Sequence, residues 1–456
     1  MNIKMPLELR RFFQACNPAK TLDMKNEEER KYYIDFSSVR GGQIVEEIER
    51  TISLLSGDEP TCQLFSGHIG CGKSTELLRL RAELEKQGFH VVYFESTQDL
   101  ELGDVDVSDI LLTIARQVSE SIEKLKIELK PKGFRGLLKG AADLLQTQID
   151  LSAEVGIPGV GQARATTDGD FSLSFGIGKI TAQAKESPEV RSRLREYLEP
   201  RTNTILQAIN KEILEPAIQA LKQRGKQGLV VIVDNLDRVD NRRLPTGRTQ
   251  PEYLFVDRGE QLRKLNCHVV YTIPLALMFS NDYGSLMYRL GGGMDTKVLP
   301  MVPAQLSDGS DCAAGINLLR QMVLARAFPE ISPQQQIELV KEVFDSLETL
   351  DRLCRVSGGH VRNLLGLLYR CIQKGDLPIP RQRLETVILE RCNELTRSID
   401  PDEWKLLRQV TIDKSVRGET EYQILLRSMF VFEYRNEQGR WYDINPILKE
   451  AKEFQS

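Results

Sequence analysis

Apolar residues fall along this chain in two rhythms that change at definable points. Residues 61–95 read TCQLF, SGHIGCGKS, TELLRLRAELEKQ, a glycine, a phenylalanine and HVVYFE. Leu77, Leu80 and Leu84 recur at helical spacing, and Gly88 supplies a residue that tolerates the left-handed stop. The spacing predicts strand, glycine loop, helix and strand, a βαβ unit and so a parallel sheet. GLVVIV at 228–233 is an unbroken apolar run, which suits a strand covered on both faces. HVVYTI at 268–273 predicts a third strand position and KVLPMV at 297–302 a fourth, where Pro300 confines the strand to a sheet edge or ends it. These elements predict a doubly wound α/β core.

After Pro303 the rhythm turns helical through GINLLRQMVLARAF, QQQIELVKEVFDSL and VRNLLGLLYRCIQ, as far as about Asn393. From Pro401 two helical stretches precede MFVFEY, NEQG and RWYDI, which read as a hairpin. Helix, helix and two-stranded wing is a winged-helix order. The organisation expected is an N-terminal helical segment over 1–35, a nucleotide-binding core over 36–303, a helical lid over 304–393 and a winged helix over 394–456. An insertion falls at about 130–185. There Ile149, Leu151, Ala153, Val155 and Ile157 alternate with polar or small residues, as do Phe171, Leu173, Phe175 and Ile177, and the pattern predicts an amphipathic hairpin.

Composition narrows the class. Hydrophobic residues at 41% and charged residues at 28% exclude a disordered or collagen-like chain. A net charge of −4 gives no overall positive field with which to collect a polyanion. The eight cysteines show no C-x-x-C pair, and read as reduced thiols. Charge interrupts every apolar stretch of MNIKMPLELRRFFQACNPAK, and no apolar run reaches the ~18 residues needed to span a bilayer. A cytoplasmic location is expected.

The strongest chemical signal is Gly67-His68-Ile69-Gly70-Cys71-Gly72-Lys73-Ser74, followed by Thr75, between a strand and a helix. Glycines let successive backbone N–H groups turn inward around phosphates at a helix N-terminus. Lys73 would reach the β- and γ-phosphates of ATP, and Ser74 would ligate Mg2+. Val230-Val231-Ile232-Val233-Asp234 is a buried strand ending in an acid, the second half of such a site, so Asp234 would hold Mg2+ from the strand end.

In the order of these motifs the chain, from about Phe36 onward, resembles the AAA+ ATPases. Within them it is similar to the branch shared by origin-recognition-type initiators and STAND signalling NTPases. The resemblance implies a P-loop core with ATP/ADP and Mg2+ as cofactors, a helical lid and a C-terminal winged helix. It implies that Thr272, in HVVYTIP, is the polar residue near the γ-phosphate. It also implies that Arg362, in Ser357-Gly358-Gly359-His360-Val361-Arg362, reaches the phosphates from the lid. Arg289 stands where such proteins carry an arginine finger for a neighbouring subunit, and Val39 and Arg40 resemble the segment that closes over adenine. Two departures matter. Asn235 occupies the place of the usual catalytic glutamate and cannot accept a proton, which leaves Asp237 as the available base and predicts slow hydrolysis. His360 replaces the proline usual in the STAND lid.

The reading that follows is an ATP-dependent switch that forms a homo-oligomer and acts on a protein effector or sensor. A DNA-binding initiator is the second reading. The candidate recognition helix at 419–427, ETEYQILLR, carries more acid than base and would meet phosphates unfavourably. A membrane-acting assembly is the third, and depends on the inserted hairpin. A face packed on the protein's own sheet is the competing account of the same pattern.

Overall fold

In the computed structural model of the chain, residues 7–145 and 173–455 are described. Five strands form one parallel sheet: β1 (Cys62–Gly67), β2 (His90–Glu95), β3 (Leu229–Asp234), β4 (His268–Thr272) and β5 (Lys297–Leu299). Their order across the sheet is β2-β3-β4-β1-β5. The period of two along each strand divides the core between the faces. Cys62, Leu64, Val92, Phe94, Val231 and Tyr271 belong to one apolar cluster, and Phe65, Val91, Val230, Ile232 and Val270 to another. Both faces are therefore dry, as the apolar run at 228–233 requires. β5 is an edge strand and stops at Leu299, immediately before Pro300.

Helices Val107–Lys124, Lys132–Leu144, Leu173–Glu186 and Pro188–Leu198 cover the first face. The hairpin expected within the insertion is corrected here: Leu173, Phe175 and Ile177 lie on a helix. The side chains it buries are Leu173, Ile177, Ile180 and Ala184, spaced by four, three and four. Leu173 and Ile177, four apart, fit either pattern, and Ile180 and Ala184 extend only the helical one. Ile149, Leu151, Ala153, Val155, Ile157 and Phe171 lie outside the described residues.

Past the sheet, helices Ala313–Ala327, Leu347–Val356, Val361–Gln373 and Arg381–Thr396 form the lid. Helices Pro401–Asp413 and Thr420–Arg427 follow, then strands β6 (Val431–Asn436) and β7 (Gly439–Ile444), paired antiparallel. One apolar cluster runs through both units, joining Leu364, Leu367 and Leu368 to Trp404, Leu407, Leu425 and Val431, and takes in Phe12 from the N-terminal helix Leu9–Ala15. The N-terminal segment is held to the lid by the buried Arg326, whose Nε donates to Ala15 O at 3.1 Å.

The hairpin does not stand apart as a free wing. Met301 N donates to Glu433 O at 2.9 Å, so the chain leaving β5 bonds to β6. Phe432, Tyr434 and Trp441 complete the second apolar face of the sheet beside Leu299 and Met301. Helix Thr420–Arg427 is also engaged on its own chain, because it buries Tyr422, Leu425 and Leu426 and Gln423 Nε2 donates to Phe279 O at 3.4 Å.

Candidate nucleotide-binding site

The loop between β1 and helix Lys73–Lys86 turns through left-handed glycines, with φ of 145° at Gly67 and 88° at Gly70. Glycine is required at both for space as well as for φ. A Cβ on Gly67 would lie 2.6 Å from Leu299 O, and one on Gly70 would lie 2.9 Å from the Arg362 Cβ. At the helix start Lys73 is buried, and its Nζ donates to Gly67 O at 2.8 Å and to His68 O at 2.9 Å. Its third partner is Asp237, at 2.9 Å. Burial alone would lower the Lys73 pKa, but the facing carboxylate outweighs it and the pKa is raised.

β3 delivers the acids. Asp234, at its end, accepts from Tyr93 Oη at 2.8 Å and from Asn235 N at 2.7 Å, and is hydrogen-bonded to the Ser74 hydroxyl. Burial raises its pKa against those hydrogen bonds. A hydroxyl and a carboxylate, side by side at the start of the helix and the end of the strand, make an oxygen donor pair that fits Mg2+ bound together with phosphate oxygens and water. Asn235 turns the chain at φ 63°, a left-handed conformation that asparagine tolerates better than most residues. The turn Leu236–Arg238 then brings Asp237 back to Lys73. Asp237 Oδ1 is buried and has no hydrogen-bond partner among the described residues, so one carboxylate oxygen holds Lys73 while the other is free to accept.

The lid closes on the loop through backbone and imidazole. Arg362 N donates to Gly70 O at 3.2 Å. His360 caps its helix by accepting from Asn363 N on Nδ1 at 3.0 Å, and bonds Ile69 O through Nε2 at 2.8 Å. The second bond makes Nε2 the protonated nitrogen. Behind the loop, the His68 ring accepts from Glu433 N at 3.0 Å, which fixes its Nε2 as unprotonated. Both imidazoles lie against Phe432, His360 stacked at 5.5 Å and His68 edge-on at 5.8 Å. Burial depresses His68 to about 3, with the charges of His360 and Lys73 as further causes, and depresses His360 to about 4 against its hydrogen bond to Ile69 O, with the charges of Arg362 and Lys73 as further causes.

These walls border an open cleft. Ile69, Gly70, Gly72, Lys73, Ser74, Thr75, Asp237 and Arg362 line it, together with Asn235. The remaining sequence-derived positions lie elsewhere. Arg40 is 3% exposed beneath the loop, where Nη2 donates to Cys71 O at 2.9 Å, and its guanidinium sits 5.1 Å from the Phe36 ring centre. Val39 packs on the lid's apolar cluster. The Thr272 hydroxyl accepts from Leu236 N at 2.9 Å and donates to Val233 O at 3.3 Å, so it braces the turn that carries Asp237. Arg289 is exposed on helix Tyr283–Arg289, and Nη1 donates to Asp257 O at 3.3 Å.

Sequence reasoning missed Pro18, Ala19, Lys20 and Thr21, which line the cleft opposite Val361 and Leu365 of the lid. It also missed Arg238. The stretch NPAKT carries no phosphate or base motif, and only the packing of the N-terminal helix against the lid brings it here.

Residues 43–246, which hold the glycine loop, the insertion and the β3 acids, match the KAP family P-loop domain. The chain thus carries a P-loop NTPase domain similar to that family's. No curated protein matches the sequence. Among solved structures it is similar to the Aeropyrum pernix ORC1 protein in complex with DNA, at 14% identity and a TM-score of 0.38, over 96% of each chain. It is similar to Cdc6p from Pyrobaculum aerophilum at 12% identity and a TM-score of 0.39, over 97% of this chain and 96% of that one. A Walker-type ATPase of Pyrococcus abyssi is similar at 10% identity and a TM-score of 0.41, over 92% of this chain and 98% of that one. No helix among the described residues is long and apolar enough to cross a membrane.

Proposed function

We propose that this chain is an ATP-binding, slowly hydrolysing switch of the AAA+/STAND kind, which cycles between ATP- and ADP-bound forms and assembles with copies of itself or with a protein effector. The observation that supports it is the convergence of Lys73, Ser74 and Asp237 on one cleft whose far wall is the lid, with the buried Asp234 behind Ser74 at the end of β3. In this reading Lys73 leaves Asp237 for the β- and γ-phosphates, and Ser74 and Asp234 hold Mg2+, which supplies charge neutralisation at the transferred phosphoryl group. The unpaired oxygen of Asp237 then receives the proton of the attacking water. A single carboxylate, displaced from the usual position and shared with Lys73, suits slow turnover.

A switch needs a movable wall, and Gly70 O is bonded by the lid through Arg362 N while Ile69 O is bonded by His360. A nucleotide that reshapes the loop acts on the lid directly. The DNA-binding reading is weakened by helix Thr420–Arg427, which has an acid in its first turn and packs on the chain's own core. The test is nucleotide binding by calorimetry with Lys73→Ala beside the unchanged protein, together with mass measurement with and without ATP. Lys73→Ala is expected to lose tight binding while its circular dichroism is unchanged, and ATP is expected to raise the mass of the unchanged protein. Equal ATP affinity in a folded Lys73→Ala protein would refute the nucleotide reading.

A further inference from the structure

Charge matching around the cleft points to a residue that sequence motifs do not reveal. Among the charged side chains lining it, Lys73 is paired with Asp237 at 2.9 Å and Lys20 with Glu29 at 2.9 Å. Two guanidiniums remain. Arg238 comes from the turn immediately after Asp237, and Arg362 from the first turn of the lid helix Val361–Gln373. Among the described residues, neither has a carboxylate within ion-pair distance, whereas Arg79, Arg191, Arg195, Arg248, Arg320 and Arg352 all do. The two are close enough to feel each other: Arg362 is lowered first by burial and next by the charge of Arg238. Two like charges without partners on facing walls of one cleft repel each other until an anion lies between them.

We infer that Arg238 and Arg362 together grip the terminal phosphate of a nucleoside triphosphate, and that Arg238 is the core residue that distinguishes triphosphate from diphosphate. The inference rests on the nucleotide reading of the cleft. A terminal phosphate carries a charge of about −1.5 to −2. That charge is opposite in sign to the two guanidiniums that line the cleft without a carboxylate partner among the described residues. Guanidinium geometry allows each arginine to hold two phosphate oxygens. Because Arg238 belongs to the core and Arg362 to the lid, a phosphate held by both ties the two walls together, and a diphosphate does not reach to do so. Arg238 is a binding residue in this account. Proton removal stays with its neighbour Asp237.

The experiment measures dissociation constants for ADP and for the non-hydrolysable triphosphate ADPNP, with Mg2+, by displacement of a fluorescent nucleotide. The full chain is compared with Arg238→Ala, Arg238→Lys and Lys73→Ala. The unchanged protein is expected to prefer ADPNP. Arg238→Ala is expected to lose tenfold or more in ADPNP affinity with ADP affinity held within twofold, and Arg238→Lys to regain part of the loss. Equal weakening of both nucleotides by Arg238→Ala, no change in either, or equal affinity of the unchanged protein for both would overturn the inference. Lys73→Ala separates this from the underlying reading. If Lys73→Ala binds both nucleotides normally the cleft is not a nucleotide site, whereas if it loses both while Arg238→Ala discriminates as before, only the role of Arg238 fails.

Discussion

Asp237 has two duties that a substitution can pull apart. One oxygen holds Lys73 at 2.9 Å and the other has no hydrogen-bond partner among the described residues. Asp237→Asn removes the proton acceptor and also releases Lys73 from its strongest competitor for phosphate. ATP turnover should fall by roughly 10²–10⁴-fold, the usual worth of a general base, while ATP binding stays the same or tightens. Single-turnover hydrolysis and equilibrium binding on the same preparation separate the two, and normal turnover in a folded variant would move the base elsewhere. Its neighbour Asn235 makes a different demand, because its left-handed φ of 63° sets the turn that returns Asp237 to the loop. Asn235→Gly should leave stability and turnover nearly unchanged, whereas Asn235→Glu should cost about 1–2 kcal/mol for the backbone strain. Thermal unfolding of the two variants decides it, and a glutamate as stable as the glycine would show that the turn is relaxed. These roles were partly legible beforehand. The glycine loop, Lys73, Ser74 and Asp234 sit in contiguous motifs, so their chemistry can be read without a fold. That Lys73 meets Asp237, that Thr272 braces a turn, and that Arg40 lies under the loop depend on how distant segments pack.

Among the elements, strands were easier to read than the insertion. Each core strand is a compact apolar run bounded by loop residues, and Pro300 marks the end of β5. At 171–177 the alternation fits a strand, and Leu173 and Ile177, four apart, fit a helix as well; Ile180 and Ala184 beyond them favour the helix that forms. The hairpin β6–β7 was legible as an element, but its docking on the glycine loop was not, since backbone N–H groups leave no mark in sequence. That docking predicts a pH response. Buried and neutral, His68 and His360 bind protons at about 3 and 4, against 6.5 when free. The undocked chain therefore takes up two protons that the docked one refuses, and docking weakens as pH falls below 6.5. Glu433 works oppositely. Burial raises it to about 7 from 4.5, with Arg440 and Tyr442 pulling it down, so the docked form keeps a proton the undocked form has released. Its contribution is present below 4.5 and lost as pH rises through 7. Between about pH 5 and 6 the net is about one proton, or about 1.4 kcal/mol per pH unit, and Glu433→Gln should raise it towards two. Chemical unfolding followed by Trp441 fluorescence in a Trp404→Phe background measures both slopes, and identical slopes would rule the account out.

At the scale of the whole molecule, Arg289 stands apart from the cleft of its own chain. It is exposed, donates to the backbone carbonyls of Val256 and Asp257, and is not among the residues lining the cleft. If it completes a neighbour's site, Arg289→Ala and Lys73→Ala proteins should each be inactive, yet a mixture should regain turnover where an intact Lys73 meets an intact Arg289. Full activity of Arg289→Ala alone, or a specific activity that does not change with protein concentration, would exclude a shared site. Within one chain, the bond from Glu433 N to His68 has a consequence in time. It spans 365 residues. At about 5–20 residues per second, synthesis separates the emergence of the two partners by roughly 20–70 s. For that interval the glycine loop exists without the strand that backs it, and Leu299 and Met301 lack the apolar cover of Phe432, Tyr434 and Trp441. The finished glycine loop is accordingly acquired long after its own motif has left the ribosome.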